Sequence, residues 1–374
     1  TFGPIPYVNY GSSSLYDALD LVYNKFFEEL DNAIEVLSNY VNGNVDAKLM
    51  SDYDCVYGGD VEKWVKFANT LRLRLAIRVS YANPTLAEAQ AKKSMENMFG
   101  FIESKAERAE LSHNSLEYHH PLHEIAYNFN SGDCRPGATI VAYLNGLNDS
   151  RISSYFTAAD DGEYHGVRIG ITTSNMSNYQ GNKISNLNIN RASTPVVWMT
   201  AAESFFLRAE GALRGWDMGG TAKSFYEQGV RMSFEENNAA GVDDYLADHT
   251  STPGAFADNV GSDNYTFSSR VTPAWDDNAG FEAQLERIIT QKWIANYPDG
   301  PEGWSEYRRT GYPEVIPVVR NSSNGTIDTQ LQVRRLPYTR DEKINNASGV
   351  ASGISALGGQ DTGGTKLWWD KKSR

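Results

Sequence analysis

The chain has 374 residues, 40% of them apolar, enough to bury one large core or two smaller ones. Its 34 lysines and arginines face 47 aspartates and glutamates, and the formal charge of −13, with no basic block to offset it, excludes a nucleic-acid-binding surface. No run of about 18 apolar residues occurs, so no segment reads as a membrane-spanning helix.

The chain opens at Thr1-Phe-Gly-Pro-Ile-Pro-Tyr7 without initiator methionine, targeting segment or lipidation cysteine, as a fragment or processed product would. From Leu15 to Val41, apolar residues recur in steps of three and four, at Leu15, Leu19, Val22, Phe26, Leu30, Ala33, Leu37 and Val41. Ser14 and Asp17 resemble a capping box before this run and Gly43 suits its stop, so the spacing predicts a long amphipathic helix. Asp60 is placed to cap a second helix to about Tyr81, with Trp64, Phe67, Ala68, Leu71 and Leu75 inward. Lys63, Lys66, Arg74 and Arg78 are expected to keep their charged heads in water. Asn83-Pro84 starts a third helix ending near Gly100.

Residues 101–196 lose this rhythm and read as ordered loop with one short helix around Ala138–Leu147. The two cysteines, Cys55 and Cys134, form no CxxC pair, and a disulfide or two buried thiols both stay open. Helices resume at Val197–Leu213 and Thr221–Asn237. Small residues in the first (Ala201, Ala202, Ala209, Gly211, Ala212) allow close helix approach, which suggests a hairpin of tetratricopeptide type. A second irregular stretch, Ala240–Gly280, precedes the helix Phe281–Tyr297.

Chemical motifs are few. His119, His120 and His123 are interrupted by Pro121, which breaks the helix that would put i and i+4 ligands on one face. The paired acids Asp160-Asp161, Asp243-Asp244 and Asp276-Asp277 do not by themselves face each other across a sugar ring as glycosidase carboxylates must. They read as solvated loop acids, with a structural calcium ion as the minor alternative and no other cofactor indicated. No GxSxG elbow, P-loop or dinucleotide fingerprint occurs. Aromatic residues are the remaining resource, with 8 Trp, 21 Tyr and 15 Phe, whose faces can stack on the C–H faces of a pyranose. Those in irregular stretches are the ones to weigh as ligand contacts.

By that criterion Trp275 is the leading candidate, flanked by Asp276 and close in sequence to Tyr265, Phe267 and Arg270. Tyr118, Tyr127 and Asn128 of the other long loop region are expected to approach the same pocket. The competing reading of Trp275 is a loop tryptophan plugged into the helical core.

Several strings, taken in order, resemble the SusD/RagB family, in its branch ending in a WWD-type motif. They are Trp64-Val-Lys-Phe-Ala-Asn-Thr-Leu-Arg-Leu-Arg-Leu-Ala-Ile-Arg78, Met199-Thr-Ala-Ala-Glu203 with Phe206-Leu-Arg-Ala-Glu210, and Gln291-Lys-Trp-Ile-Ala295. Trp304-Ser-Glu-Tyr-Arg-Arg-Thr-Gly-Tyr312, Arg334-Arg-Leu-Pro-Tyr338 and Leu367-Trp-Trp-Asp370 complete the set. Asp149-Ser-Arg151 departs from the family's Asp-Pro-Arg.

The resemblance implies an all-α, SusD-like fold of tetratricopeptide-type helix pairs with long loop-rich insertions and little sheet. It implies a single domain over 1–374 that lacks the family's N-terminal part. The helical scaffold would occupy 14–100, 197–238 and 281–297, the loop-rich regions 101–196 and 239–280, and a wrapping segment 298–374. The implied role is non-catalytic: a lipoprotein at the outer membrane, on the cell surface, binds an oligosaccharide or polysaccharide and works with a SusC-like TonB-dependent transporter. Membrane contact would come only through a lipid anchor outside this chain. A tetratricopeptide-type peptide-binding scaffold and a glycosidase are the competing readings.

Overall fold

A computed structural model of the chain describes residues 1–44, 46–111, 120–129, 132, 134–171, 177–258, 261 and 263–372. It is mostly helical, with two small two-stranded sheets among the described residues. Helix α1 spans Leu19–Gly43 and begins later than the apolar spacing predicts. Asp17 does not cap it. Its carboxylate instead accepts the N–H groups of Tyr7 and Val8 at 2.9 and 2.8 Å, and its backbone pairs with Ile5, which holds the approach extended. The buried stripe is accordingly Leu19, Val22, Tyr23, Phe27 and Ile34.

The caps read at the next two helices hold. Asp60 accepts from Lys63 N–H ahead of α2 (Val61–Val79), and Asn83 accepts from Leu86 N–H ahead of α3 (Pro84–Glu96). Helix α2 packs against both neighbours, so it has little solvent face to give. This corrects one expectation: the heads of Arg74 and Arg78 are not in water but inside the molecule.

Among its described residues the loop-rich region holds short elements, among them β1 (Ala109–Leu111), α4 (Pro121–His123), α5 (Ala138–Gly146), α6 (Ile152–Tyr155), β2 (Phe156–Thr157), β3 (Asn186–Leu187) and β4 (Val196–Met199). Strand β1 pairs antiparallel with β4, and β2 with β3. The β4 residues were expected to open a helix. The β-branched Val196 and Val197 pair with Leu111 and Glu110 instead, and the helix waits for Thr200, whose hydroxyl accepts the Glu203 N–H.

Helices α7 (Ala201–Leu213) and α8 (Ala222–Glu236) form the expected hairpin. Small residues permit it: a Cβ on Gly229 would stand 2.8 Å from the Phe206 ring. After the short α9 (Val242–Leu246) and the irregular stretch come α10 (Phe281–Ala295) and α11 (Gly300–Thr310). The last short helices are α12 (Arg340–Asn345) and α13 (Ala347–Leu357). The tail beyond residue 298 is therefore more helical than a simple wrapping segment.

Where α2, α7, α10 and α11 meet, a buried lattice of charges replaces apolar packing. Arg74 pairs with Glu203, Arg78 with Glu302 (2.7 Å) and Glu306 (3.1 Å), and Lys292 with Glu302 (2.8 Å). Arg309, fully buried, reaches both oxygens of Glu210 at 2.6 Å and also pairs with Glu306. Each charge has an opposite neighbour, which is the condition for burying charge at tolerable cost. The guanidinium of Arg308 lies 3.5 Å from the Trp304 ring centroid and 4.7 Å from that of Trp369, while Arg334 holds Asp370 at 2.8 Å. The arginine–aromatic strings of the C-terminal part thus tie the tail to the helices. Arg151 and Asp149 form a further fully buried pair, and Arg151 also reaches Gln291 of α10 at 2.7 Å. Cys55 and Cys134 are not joined by a disulfide.

Candidate functional site

Trp275 is not a platform. It is 7% exposed, its ring lies 5.3 Å from Tyr226 of α8, and its indole N–H donates to Asp277 at 2.9 Å. Phe267, 2% exposed, packs edge-on against Tyr143 of α5 at 5.0 Å. Both rings belong to the main apolar cluster, so the expectation that they present faces to a sugar is corrected. The reason is local: a tryptophan whose polar handle is satisfied two residues away can bury its ring at little cost.

The other candidates are more accessible but do not gather around Trp275. Arg270 is exposed and folds back on the carbonyls of Phe267 and Ser269. Asp276 closes a turn by accepting the Asn278 N–H. Tyr265 is half-buried and donates to Glu314 at 2.8 Å, and burial together with this carboxylate pushes its hydroxyl up to about 12. Tyr127, 39% exposed, stacks on His123 and donates to the Leu187 carbonyl, and Asn128 donates to Glu124 at 2.7 Å. These two ride on the segment that begins at His120 and packs along β3. Tyr118 and His119 lie outside the described residues.

The loop regions do meet, at a different place. An open cleft of about 220 Å³ lies between segments 163–166, 179–184 and 255–258, over the C-terminal half of α5. Tyr164, His165, Tyr179, Phe256, Asp258 and Asn145 line it. Two glycine contacts set its base. A Cβ on Gly146 would stand 1.9 Å from the Gly254 nitrogen, and one on Gly166 would stand 2.8 Å from Ala138, so only bare backbone lets these loops lie on α5. Gly254 N–H donates to the Ala142 carbonyl, and residues 137 and 167 form a parallel bridge.

The cleft wall is braced from behind. Phe256 and Tyr265 exchange backbone hydrogen bonds at 2.8 and 3.0 Å. The Glu314 carboxylate accepts from Tyr265, Ser268 and Ser269, and Arg168 spans the Pro317, Asp263 and Asn264 carbonyls. Asp258, 8% exposed, accepts from the Tyr179 hydroxyl at 2.8 and 2.9 Å and from the N–H groups of Gly261 and Asp263. Burial and this carboxylate push the Tyr179 hydroxyl up to about 12, so it stays neutral at any physiological pH with its proton held by Asp258. Asn145 donates to the Tyr164 carbonyl at 3.1 Å, and His165 meets Asp161 at 2.8 Å.

The result is a cleft with phenol rings on its walls and fixed carboxylate, amide and imidazole groups around them. It is chemically suited to a neutral polyol that offers both C–H faces and paired hydroxyls. The reading from sequence missed Tyr164, Tyr179 and Asp258. The signal was present, since all three fall in the two irregular stretches, but a single tryptophan outweighed the tyrosines.

A family model described as SusD and RagB outer membrane lipoprotein matches residues 1–370. A chitin-binding SusD homologue from Flavobacterium johnsoniae is 41% identical, with a TM-score of 0.94 over 100% of this chain and 77% of that one. A SusD homologue from Bacteroides uniformis is 42% identical, with a TM-score of 0.91 over 99% of this chain and 78% of that one. One from Bacteroides vulgatus is 38% identical, with a TM-score of 0.92 over 100% and 76%. A search of curated protein sequences found no match.

Proposed function

Because the chain belongs to the SusD/RagB family of outer membrane lipoproteins, we propose that it is the glycan-binding subunit of an uptake system at the outer membrane. It captures an oligosaccharide without cleaving it and passes it to a SusC-like TonB-dependent transporter. The observation that carries this reading is the cleft of Tyr164, Tyr179 and Asp258, built by loops and braced by a second layer of hydrogen bonds. One of the related structures is a chitin-binding homologue, which supports a glycan as the ligand class. The cleft's position on the loops, away from the helix hairpins, favours sugar over a peptide laid along a helical groove.

Binding here needs no proton transfer and no cofactor. The half-buried ring of Tyr164 offers a stacking face, and the carboxylate of Asp258, the amide of Asn145 and the neutral hydroxyl oxygen of Tyr179 give the polar pattern that a sugar's hydroxyls must match. Native affinity electrophoresis against a panel of polysaccharides, with reducing ends followed in parallel, tests both halves of the proposal. Retardation without new reducing ends is expected. Release of reducing ends, or no retardation by any glycan in the panel, overturns it.

A further inference from the structure

A second polar hollow, with Ser154 and Tyr155 of α6 in its wall, shares no lining residue with the cleft above. It consists of adjoining spaces of about 430 and 50 Å³ that share Arg108, Val197, Glu236, Asn237, Tyr297 and Pro298 in their walls. It opens where α7 begins and where α8 and α10 end.

Three observations give it a chemical character. Arg108 is largely buried (its side chain 16% exposed), and its Nε is committed to Glu110, but no hydrogen bond to its two terminal nitrogens is formed within the described residues. A guanidinium held by one edge presents the other edge, a planar fork of donors, to whatever enters. Lys105 adds a second cation, fixed by the Glu235 carbonyl at 3.1 Å and the Asn238 side chain at 3.0 Å. Lastly, Asn296, 5% exposed, lines the smaller space, and its Nδ2 has no hydrogen-bond partner while its Oδ1 takes the Thr200 hydroxyl. A buried donor left unpaired is destabilising, and a ligand acceptor would relieve it.

The carboxylates nearby are already engaged. Glu236 spends both oxygens on the N–H groups of Ala201 and Ala202, and burial pushes it up to about 7 in spite of them, so its charge is weak near neutrality. Glu203 is held by Arg74 and Lys292. In a chain of net charge −13, this hollow gathers two cations, Arg108 and Lys105, and the Arg108 fork keeps its terminal donors uncommitted among the described residues.

From this geometry we infer that the hollow is a second glycan subsite, specific for a carboxylate-bearing sugar, in which Arg108 grips the uronate group and Lys105 and Asn296 take its neighbouring oxygens. The half-buried Tyr297 and the 44% exposed Trp198 supply ring faces beside those donors. Side-chain amides and hydroxyls of Asn188, Ser193 and Asn237 supply the many hydrogen-bonding groups a sugar needs.

The test is calorimetric titration of the folded protein with an oligogalacturonate and with the same oligomer after carboxyl reduction. The native oligomer should bind about tenfold tighter or better, which is about 1.4 kcal/mol. Added salt should shrink the difference, because the ligand's charge stays partly screened at an open site. Arg108→Gln should abolish the preference, and Lys105→Gln should reduce it, with both variants melting as the parent does. Equal affinity for the two oligomers, or a preference that survives Arg108→Gln, overturns the inference. So does tighter binding of peptides with a free C-terminal carboxylate than of the uronate. Neutral oligosaccharides bound as tightly as the uronate leave the Tyr179 cleft standing while the uronate subsite falls. Loss of all glycan binding by the parent protein overturns both.

Discussion

Arg309 and Trp275 show how a side chain's role follows from what surrounds it, and each yields a measurable outcome. Arg309 is fully buried against Glu210 and Glu306, so Arg309→Ala removes the cation and leaves two carboxylates in the core. Breaking a buried pair from one side costs about 3–5 kcal/mol, and urea unfolding should show a loss of that size. Glycan affinity per folded molecule should be unchanged; lost binding at full stability would move Arg309 into the site. Trp275→Ala deletes a ring packed on Tyr226 and should destabilise by about 3–5 kcal/mol, with little change in affinity. Tyr164→Ala is the contrasting case. Its ring lines an open cleft and is only half-buried, so melting should hold while oligosaccharide affinity falls about tenfold, about 1.4 kcal/mol. The opposite pair of outcomes would restore Trp275 to the site.

In the α7–α8 hairpin, Gly229 lies close against the Phe206 ring, with no room for a Cβ. Gly229→Val would force that ring from its place and should cost about 1–3 kcal/mol in a chemical-denaturation series, beyond any gain from restricting the glycine. An unchanged midpoint would mean that the hairpin is looser than its packing indicates. Elements of this kind were legible in the sequence because caps and periodicity are local: Asp60 and Asn83 each cap the helix their position announces, and Thr221, read as the first residue of its helix, caps it. The errors have equally local causes. Ser14 with Asp17 looks like a capping box, but Asp17 is claimed by the backbone of Tyr7 and Val8. Arg74 and Arg78 look like solvent-facing cations on α2, and no periodicity could reveal that Glu203, Glu302 and Glu306 wait for them from elements more than a hundred residues away. The cleft was illegible for the same reason. Tyr179 and Asp258 are far apart in the chain, and contacts such as Gly146–Gly254 and Gly166–Ala138 bring their loops together over α5.

For the molecule as a whole, the buried charges set how stability depends on pH, with opposite signs at the two ends. Arg309 and Arg214 hold Glu210 in its charged form against the desolvation of burial, lowering it from 4.5 to about 2, and Glu302 and Glu306 are lowered likewise by Arg78, Lys292 and Arg309. A carboxyl depressed in the folded state contributes stability that is present above its unfolded value and lost as pH falls through the folded one. Unfolding midpoints should therefore drop between about pH 4.5 and about pH 2. Glu236 behaves in reverse. Burial raises it from 4.5 to about 7, so its contribution is complete below about 4.5 and disappears as pH rises through about 7. The whole molecule's charge of −13 also disfavours the compact state at high pH, and the two causes must be separated. Repulsion among surface charges is screened by salt, whereas a carboxylate buried at the start of α7 is not. The parent protein should thus lose stability from about pH 5 to about pH 8 even in high salt, and Glu236→Gln should remove most of that salt-insensitive loss while leaving the acid limb intact. If Glu236→Gln keeps the alkaline slope, and added salt alone abolishes it, the slope comes from the surface and not from Glu236.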